Sequence, residues 1–151
     1  EVQHSAPGRV LVFKLGGQAK LPDSSPPPLV IDPPDLVAGD AEIRTGLGLY
    51  NQHCMRCHGV GAVSQGLVPD LRAMTRTTHD IFDAIVLEGV LAPVGMIGFK
   101  DVLTPAESEM IRQYLIQTAH KQQDLDNESN TWRAFRSWWF YQFGWLAEKM
   151  I

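Results

Sequence analysis

Cys54 and Cys57 stand with two residues between them, and His58 follows directly after the second thiol. They are the only two cysteines in the chain. A four-thiolate zinc site is therefore impossible, and zinc would have to recruit distant histidines. A thioredoxin-like redox pair would follow a strand in a βαβ setting, whereas this pair follows a helix-like segment. The arrangement that fits best is one in which the two thiols add to the vinyl groups of a porphyrin and the adjacent histidine binds its iron. One covalently attached c-type haem per chain is the expected cofactor, with Cys54 and Cys57 as anchors and His58 as proximal ligand. The expected task is to move electrons.

A chain of 151 residues, 44% hydrophobic, can hold one modest domain plus extensions. Its formal charge of −4 gives no reason to expect a nucleic-acid binder. No stretch reaches the ~20 consecutive apolar residues that a membrane-spanning helix needs. The sequence starts at Glu1 and shows no signal peptide, so it reads as a processed protein or a fragment.

Three regions follow one another. Residues 1–39 contain the apolar, β-branched run from Gly8 to Gly17, which reads as a short strand. Pro22, Pro26, Pro27, Pro28, Pro33 and Pro34 then predict an extended, semi-rigid linker, because proline lacks the amide donor and fixes φ. The only other strand-like piece is Leu29-Val30-Ile31. A lone strand leaves its backbone unpaired. It forms a small hairpin, lies on the haem domain, or belongs to a sheet outside this chain.

Residues 40–121 predict an all-α domain of three helices. Asp40 can cap the first, which presents Ile43, Leu47, Tyr50 and Cys54 on one face. Gly46 would let another helix cross closely. A second helix is expected from Thr78, with Ile81, Phe82, Ile85 and Val86 inward and Gly89 as its stop. The third opens on Thr104-Pro105-Ala106-Glu107, a capping box with proline at the first helical position. Met110, Ile111, Tyr114 and Leu115 form its apolar face, which should cross the first helix near Gly46 and Tyr50.

Residues 122–151 form an aromatic C-terminal extension holding all four tryptophans, Trp132, Trp138, Trp139 and Trp145. At helical spacing too much apolar surface is left to face water. Three roles stay open: folding over its own domain, docking on another domain or partner, or interfacial contact with a membrane.

The sixth iron position separates electron transfer from an open-site haem enzyme or gas sensor, since a methionine sulfur raises the potential and closes the iron. Met55 lies inside the attachment loop, Met110 on the core stripe and Met150 in the tail. Met96 is the first candidate, because Gly95 and Gly98 let its loop approach the macrocycle. Met74 is the alternative, and His53 and His79 are further possibilities that read more simply as exposed side chains. A ligating histidine normally donates its other ring N–H to a fixed acceptor, and the Pro69 carbonyl is suited to that role. Arg72 is a candidate partner for a haem propionate, or else a surface arginine.

With these residues in place, the chain resembles the C-terminal cytochrome c domain of quinohaemoprotein alcohol dehydrogenases. The matching stretches are Gly8 to Gly17 with Leu21-Pro22, Tyr50 to Gly59, Pro69 to Arg72 and Gly95 to Leu103, within residues 7–120. The resemblance implies a cytochrome c-like fold, with thioether bonds at Cys54 and Cys57 and axial ligands His58 and Met96. It also implies that the run from Gly8 to Gly17 closes a propeller domain absent from this chain. That propeller would hold pyrroloquinoline quinone (PQQ) and calcium, in the same chain or a partner. Electrons would pass from it through the haem to a cupredoxin or another cytochrome in the periplasm. Ile97 departs from the proline common in related cytochromes, and the aromatic tail lies outside the stretch that carries the resemblance. A self-standing cytochrome that docks on a separate dehydrogenase is the competing expectation.

Overall fold

The computed structural model describes residues 12–20, 29–64, 66 and 68–147, and among them the regular structure is helical, with no strand. The helices are α1 Asp40–His53, α2 Met55–His58, α3 Arg76–Asp80, α4 Phe82–Val86 and α5 Pro105–Ala147. Tight 3-10 turns at Val60–Ala62, Leu71–Ala73 and Ala92–Val94 shape the connections.

α1 and α5 form the central crossing. α1 buries Ile43, Gly46 and Tyr50, while Leu47, expected on the same face, is turned outward. A Cβ placed on Gly46 would sit 2.6 Å from the carbonyl carbon of Met110, so only glycine lets the two backbones touch here. One turn on, the rings of Tyr50 and Tyr114 pack with centroids 5.2 Å apart. Ile111 and Leu115 from α5, Phe82 and Val86 from α4, and Leu103 complete the core. Each such side chain contributes about 1.5–3 kcal/mol of burial.

α5 begins as its sequence requires. The Thr104 amide and hydroxyl both donate to Glu107 Oε2 at 2.8 Å, and the Glu107 amide returns a bond to Thr104 Oγ1 at 3.3 Å. Its far end differs from the expected boundary near residue 121, because the helix runs unbroken through the polar stretch from Gln122 to Thr131. That stretch contains no glycine or proline, and it satisfies its own polar groups at helical spacing. Gln122 donates to Asp126 at 3.0 Å, and the Thr131 hydroxyl donates to the Asn127 carbonyl at 2.9 Å. The extension thus continues the last helix of the domain.

The expected second helix is two short ones. Thr75 caps α3, with its hydroxyl accepting from the Thr78 amide at 3.2 Å. Ile81, expected in the core, breaks the helix at φ −105°, ψ 19° and is exposed, while Phe82 and Val86 behind it are buried.

Residues 29–39 carry no regular structure and lie along α5. The Val37 and Ala38 amides donate to Gln113 Oε1, His120 Nε2 donates to the Pro34 carbonyl at 2.9 Å, and Gln123 donates to the Ile31 carbonyl. Leu29-Val30-Ile31 is therefore a strap on a helix and not a strand. Of the run from Gly8 to Gly17, the part up to Leu11 lies outside the described residues. The remainder ends in a turn closed by the Gly17 amide on the Lys14 carbonyl at 2.9 Å.

Candidate functional site

The first thiol is delivered by α1. The Cys54 amide still bonds to the Tyr50 carbonyl at 2.8 Å, then the chain breaks and α2 carries Cys57 and His58 on a single turn. Both cysteines are free thiols, Cys54 buried and Cys57 exposed. Burial, with Cys57 adding to it, pushes the Cys54 thiol up to about 11, so it stays protonated at neutral pH. Gly59, at φ +81°, turns the chain away directly after His58. The buried Tyr50 hydroxyl fixes that turn by donating to the Gly59 carbonyl at 2.6 Å. This contact joins α1 to the attachment loop, and sequence reasoning gave Tyr50 only a packing role.

His58 is buried, and its Nδ1 faces the Pro69 carbonyl at 3.4 Å. Burial lowers the imidazole's proton affinity and the Pro69 contact opposes that shift. With Nδ1 committed as donor, Nε2 is the ring nitrogen left for a metal.

Pro69 belongs to a loop organised around Asp70, which is almost fully buried. Asp70 accepts from the Ser64 amide, from the Arg72 amide, and from Arg72 Nε and Nη2 at 2.9 and 2.8 Å. The same guanidinium donates through Nη1 to Gln122 Oε1 of α5 at 2.8 Å. Arg72, expected to face a propionate or solvent, is thus engaged by Asp70 and Gln122. Neither partner was singled out from the sequence, although an acid two positions before an arginine is a usable signal.

Met96 follows Gly95, which takes φ +101°, and is half-buried against the core. Its loop is clamped to the end of α4: the Phe99 amide bonds the Val86 carbonyl at 2.8 Å and the Lys100 amide the Leu87 carbonyl at 3.3 Å. A Cβ on Gly98 would come within 2.6 Å of the Leu87 carbonyl oxygen. Met74 is buried in the core cluster. His53 is half-buried with its ring edge-on to Phe99 at 6.0 Å. His79 corrects the sequence expectation of an exposed side chain: it is buried at 7% exposure, and Nδ1 has no hydrogen-bond partner.

The chemistry of this donor set fits a haem. Two free thiols flank one turn, an imidazole has one nitrogen committed to a carbonyl, and a half-buried thioether sits on a glycine-flanked loop. Among the described residues no group of three or more His, Cys, Asp or Glu side chains could hold a metal ion in the manner of a zinc site. None of their helices is long and apolar enough to cross a membrane.

Residues 41–115 match the family of cytochrome c oxidase, cbb3-type, subunit III. The chain is 44% identical over 127 residues to quinohemoprotein alcohol dehydrogenase ADH-IIG of Pseudomonas putida, covering 84% of this chain and 17% of that protein. It is 43% identical over 110 residues to ADH IIB of the same species, covering 72% and 16%. It is 34% identical over 122 residues to the 1-butanol dehydrogenase (cytochrome c) of Thauera butanivorans, covering 78% and 17%. The solved structure of ADHIIG from Pseudomonas putida HK5 superposes with a TM-score of 0.63 at 44% identity, over 81% of this chain and 17% of the other. The quinohemoprotein alcohol dehydrogenase of Comamonas testosteroni superposes at 0.53 with 26% identity, over 71% and 15%. The chain spans about a sixth of the length of the curated relatives it matches.

Proposed function

The chain belongs to the cytochrome c domains of the quinohaemoprotein alcohol dehydrogenases, and we propose that within it Cys54 and Cys57 carry haem c while His58 and Met96 ligate the iron. Electron transfer is the work of such a domain; alcohol oxidation belongs to other parts of the relatives. When bound, the haem supplies a one-electron couple, and the remaining roles fall to this chain's own side chains.

The observation that carries the assignment is the placing of His58 Nδ1 on the Pro69 carbonyl, in a turn that also holds two free thiols. That bond orients the ring, fixes Nε2 as the ligating atom and strengthens its donation. Tyr50 holds the turn from inside through Gly59. Met96 would supply the second protein ligand to the iron from a loop whose hydrogen bonds to α4 resist displacement, and a thioether held there would favour electron transfer over binding of outside ligands. Arg72 acts on the site through the Pro69 loop, with its guanidinium occupied by Asp70 and Gln122.

The electron donor is a quinone-bearing dehydrogenase domain or partner, in keeping with the names of the relatives; PQQ as that quinone and calcium at its site follow from the family resemblance. The acceptor is a small redox protein, a cupredoxin or a cytochrome, and the setting is the periplasm. Both follow from the resemblance to the relatives, which spans 84% of this chain for ADH-IIG.

Expression with a haem-ligation system, followed by haem staining on a denaturing gel, tests the attachment: stain must follow the wild-type chain and disappear in the Cys54→Ala/Cys57→Ala double variant. Met96→Ala must then lose the weak sulfur-to-iron charge-transfer band of the oxidised protein and let the reduced protein bind carbon monoxide rapidly. An unchanged spectrum would sink the Met96 assignment.

A further inference from the structure

We propose that Asp70 is the positioning residue of the axial histidine, holding the Pro69 carbonyl against His58 Nδ1 and braced from α5 by Gln122. The inference rests on the assignment of His58 as iron ligand and goes beyond it, to what sets the properties of that ligand.

The geometry is a continuous chain of contacts. His58 Nδ1 meets the Pro69 carbonyl, which is the peptide unit joined directly to Asp70. The Asp70 carboxylate is 2% exposed and receives four bonds: the Ser64 amide at 3.2 Å, the Arg72 amide at 3.1 Å, and Arg72 Nε and Nη2 at 2.9 and 2.8 Å. A carboxylate bonded on both sides of its own peptide, to Ser64 before it and to Arg72 after it, fixes the direction of the carbonyl between them. The loop is further closed by the Ser64 hydroxyl donating to the Val68 carbonyl.

A loop tied only to itself could still shift as a unit against α2. Arg72 prevents this, because its remaining nitrogen donates to Gln122 Oε1 at 2.8 Å, and Gln122 is held in turn by Asp126 at 3.0 Å. The His58 acceptor is thereby referenced to α5, which also packs against the helix leading to Cys54. The consequence is chemical. A well-aimed acceptor on Nδ1–H raises the basicity of the imidazole, strengthens its bond to the oxidised iron and lowers the reduction potential.

A carboxylate that merely caps the Leu71–Ala73 turn would leave the histidine unaffected when replaced. The test uses the full haem-loaded chain and compares Asp70→Asn, Gln122→Ala and the charge control Asp32→Asn, which removes one exposed carboxylate paired with Arg76. Two quantities are read: solvent exchange of the His58 Nδ1–H signal by nuclear magnetic resonance in the reduced protein, and the reduction potential. In Asp70→Asn the exchange should quicken at least about tenfold, one decade in the opening equilibrium, and the potential should rise. The charge-neutral Gln122→Ala should move both in the same direction by less. Asp32→Asn should move neither.

Unchanged exchange in Asp70→Asn and Gln122→Ala overturns the proposal, and a raised potential with unchanged exchange overturns it as well, by reducing Asp70 to a local charge. If Asp70→Asn does not fold, Gln122→Ala decides alone. Failure of the underlying assignment is distinct, since the wild-type protein would then carry no haem or show no His58 ligation at all.

Discussion

Gly46 lies in direct contact with the Met110 main chain, with no room for a side chain between α1 and α5. The contact fixes where Tyr50, and one turn later Cys54, stand relative to α5. Gly46→Ala should therefore destabilise the haem-loaded protein by about 1–3 kcal/mol, the usual range for overpacking. A lowered denaturant midpoint at unchanged slope checks it; Gly48, beside which a Cβ meets nothing, is the matched control.

Tyr50→Phe keeps the packing on Tyr114 and removes the donor to the Gly59 carbonyl. An acceptor left unpaired in a part-buried site costs about 1–3 kcal/mol. The loss should appear in thermal unfolding and, because Gly59 adjoins His58, in faster solvent exchange of the amides of the α2 turn.

Gly98→Ala should act on coordination more than on stability. The added carbon meets the Leu87 carbonyl, so the loop must lift from α4 and carry Met96 with it. Weakening of the sulfur-to-iron band, together with carbon monoxide binding absent from the wild type, is the expected signature.

His79 makes stability depend on pH. Burial, followed by Arg112, lowers its proton affinity from 6.5 to about 4, with Arg76 assisting and Asp80 and Glu109 opposing. The folded pKa lies below the unfolded one, so between about pH 6.5 and 4 the unfolded chain binds the extra proton. Stability from this group is intact above the unfolded value and falls as the pH drops through that window, by at most about 1.4 kcal/mol per pH unit. A His79→Leu variant should flatten the slope in denaturant titrations across this range, and an unchanged slope would refute the assignment.

Removing the haem should remove the fold. The core around α1, α4 and α5 is small, and covalent attachment supplies a staple that hydrophobic packing alone does not replace. The Cys54→Ala/Cys57→Ala chain should lack a cooperative melt, whereas retained helicity with a sharp transition in circular dichroism would contradict this.

Local signals proved the most legible. The Thr104–Glu107 capping box and the helix crossing at Gly46 rest on short-range sterics and hydrogen bonds that a few adjacent residues determine. The approach of His58 Nδ1 to the Pro69 carbonyl is the contact that the proposed ligand role of His58 calls for, and the short spacing between the two makes it reachable. What escaped depends on tertiary context. Ile81 looks like a core residue until the packing of Phe82 and Val86 fixes the helix phase. The polar run after residue 121 looks like the start of a separate extension because composition does not reveal bonds such as Gln122 to Asp126. His79 and Arg72 were read from their sequence neighbours, whereas their surroundings come from α5, which brings Arg112 to one and Gln122 to the other.

The continuity of α5 has a mechanical consequence. From Gln122 to Ala147 the helix extends about 39 Å at its regular rise, and it bears the stacked pair Trp132 and Phe135 with Trp138 next to them. With no glycine or proline between residues 122 and 131 to serve as a joint, the aromatic face and the haem-binding core behave as two ends of one stiff beam. A push at the tryptophan end is borne at its root by Gln122, the residue that also grips Arg72.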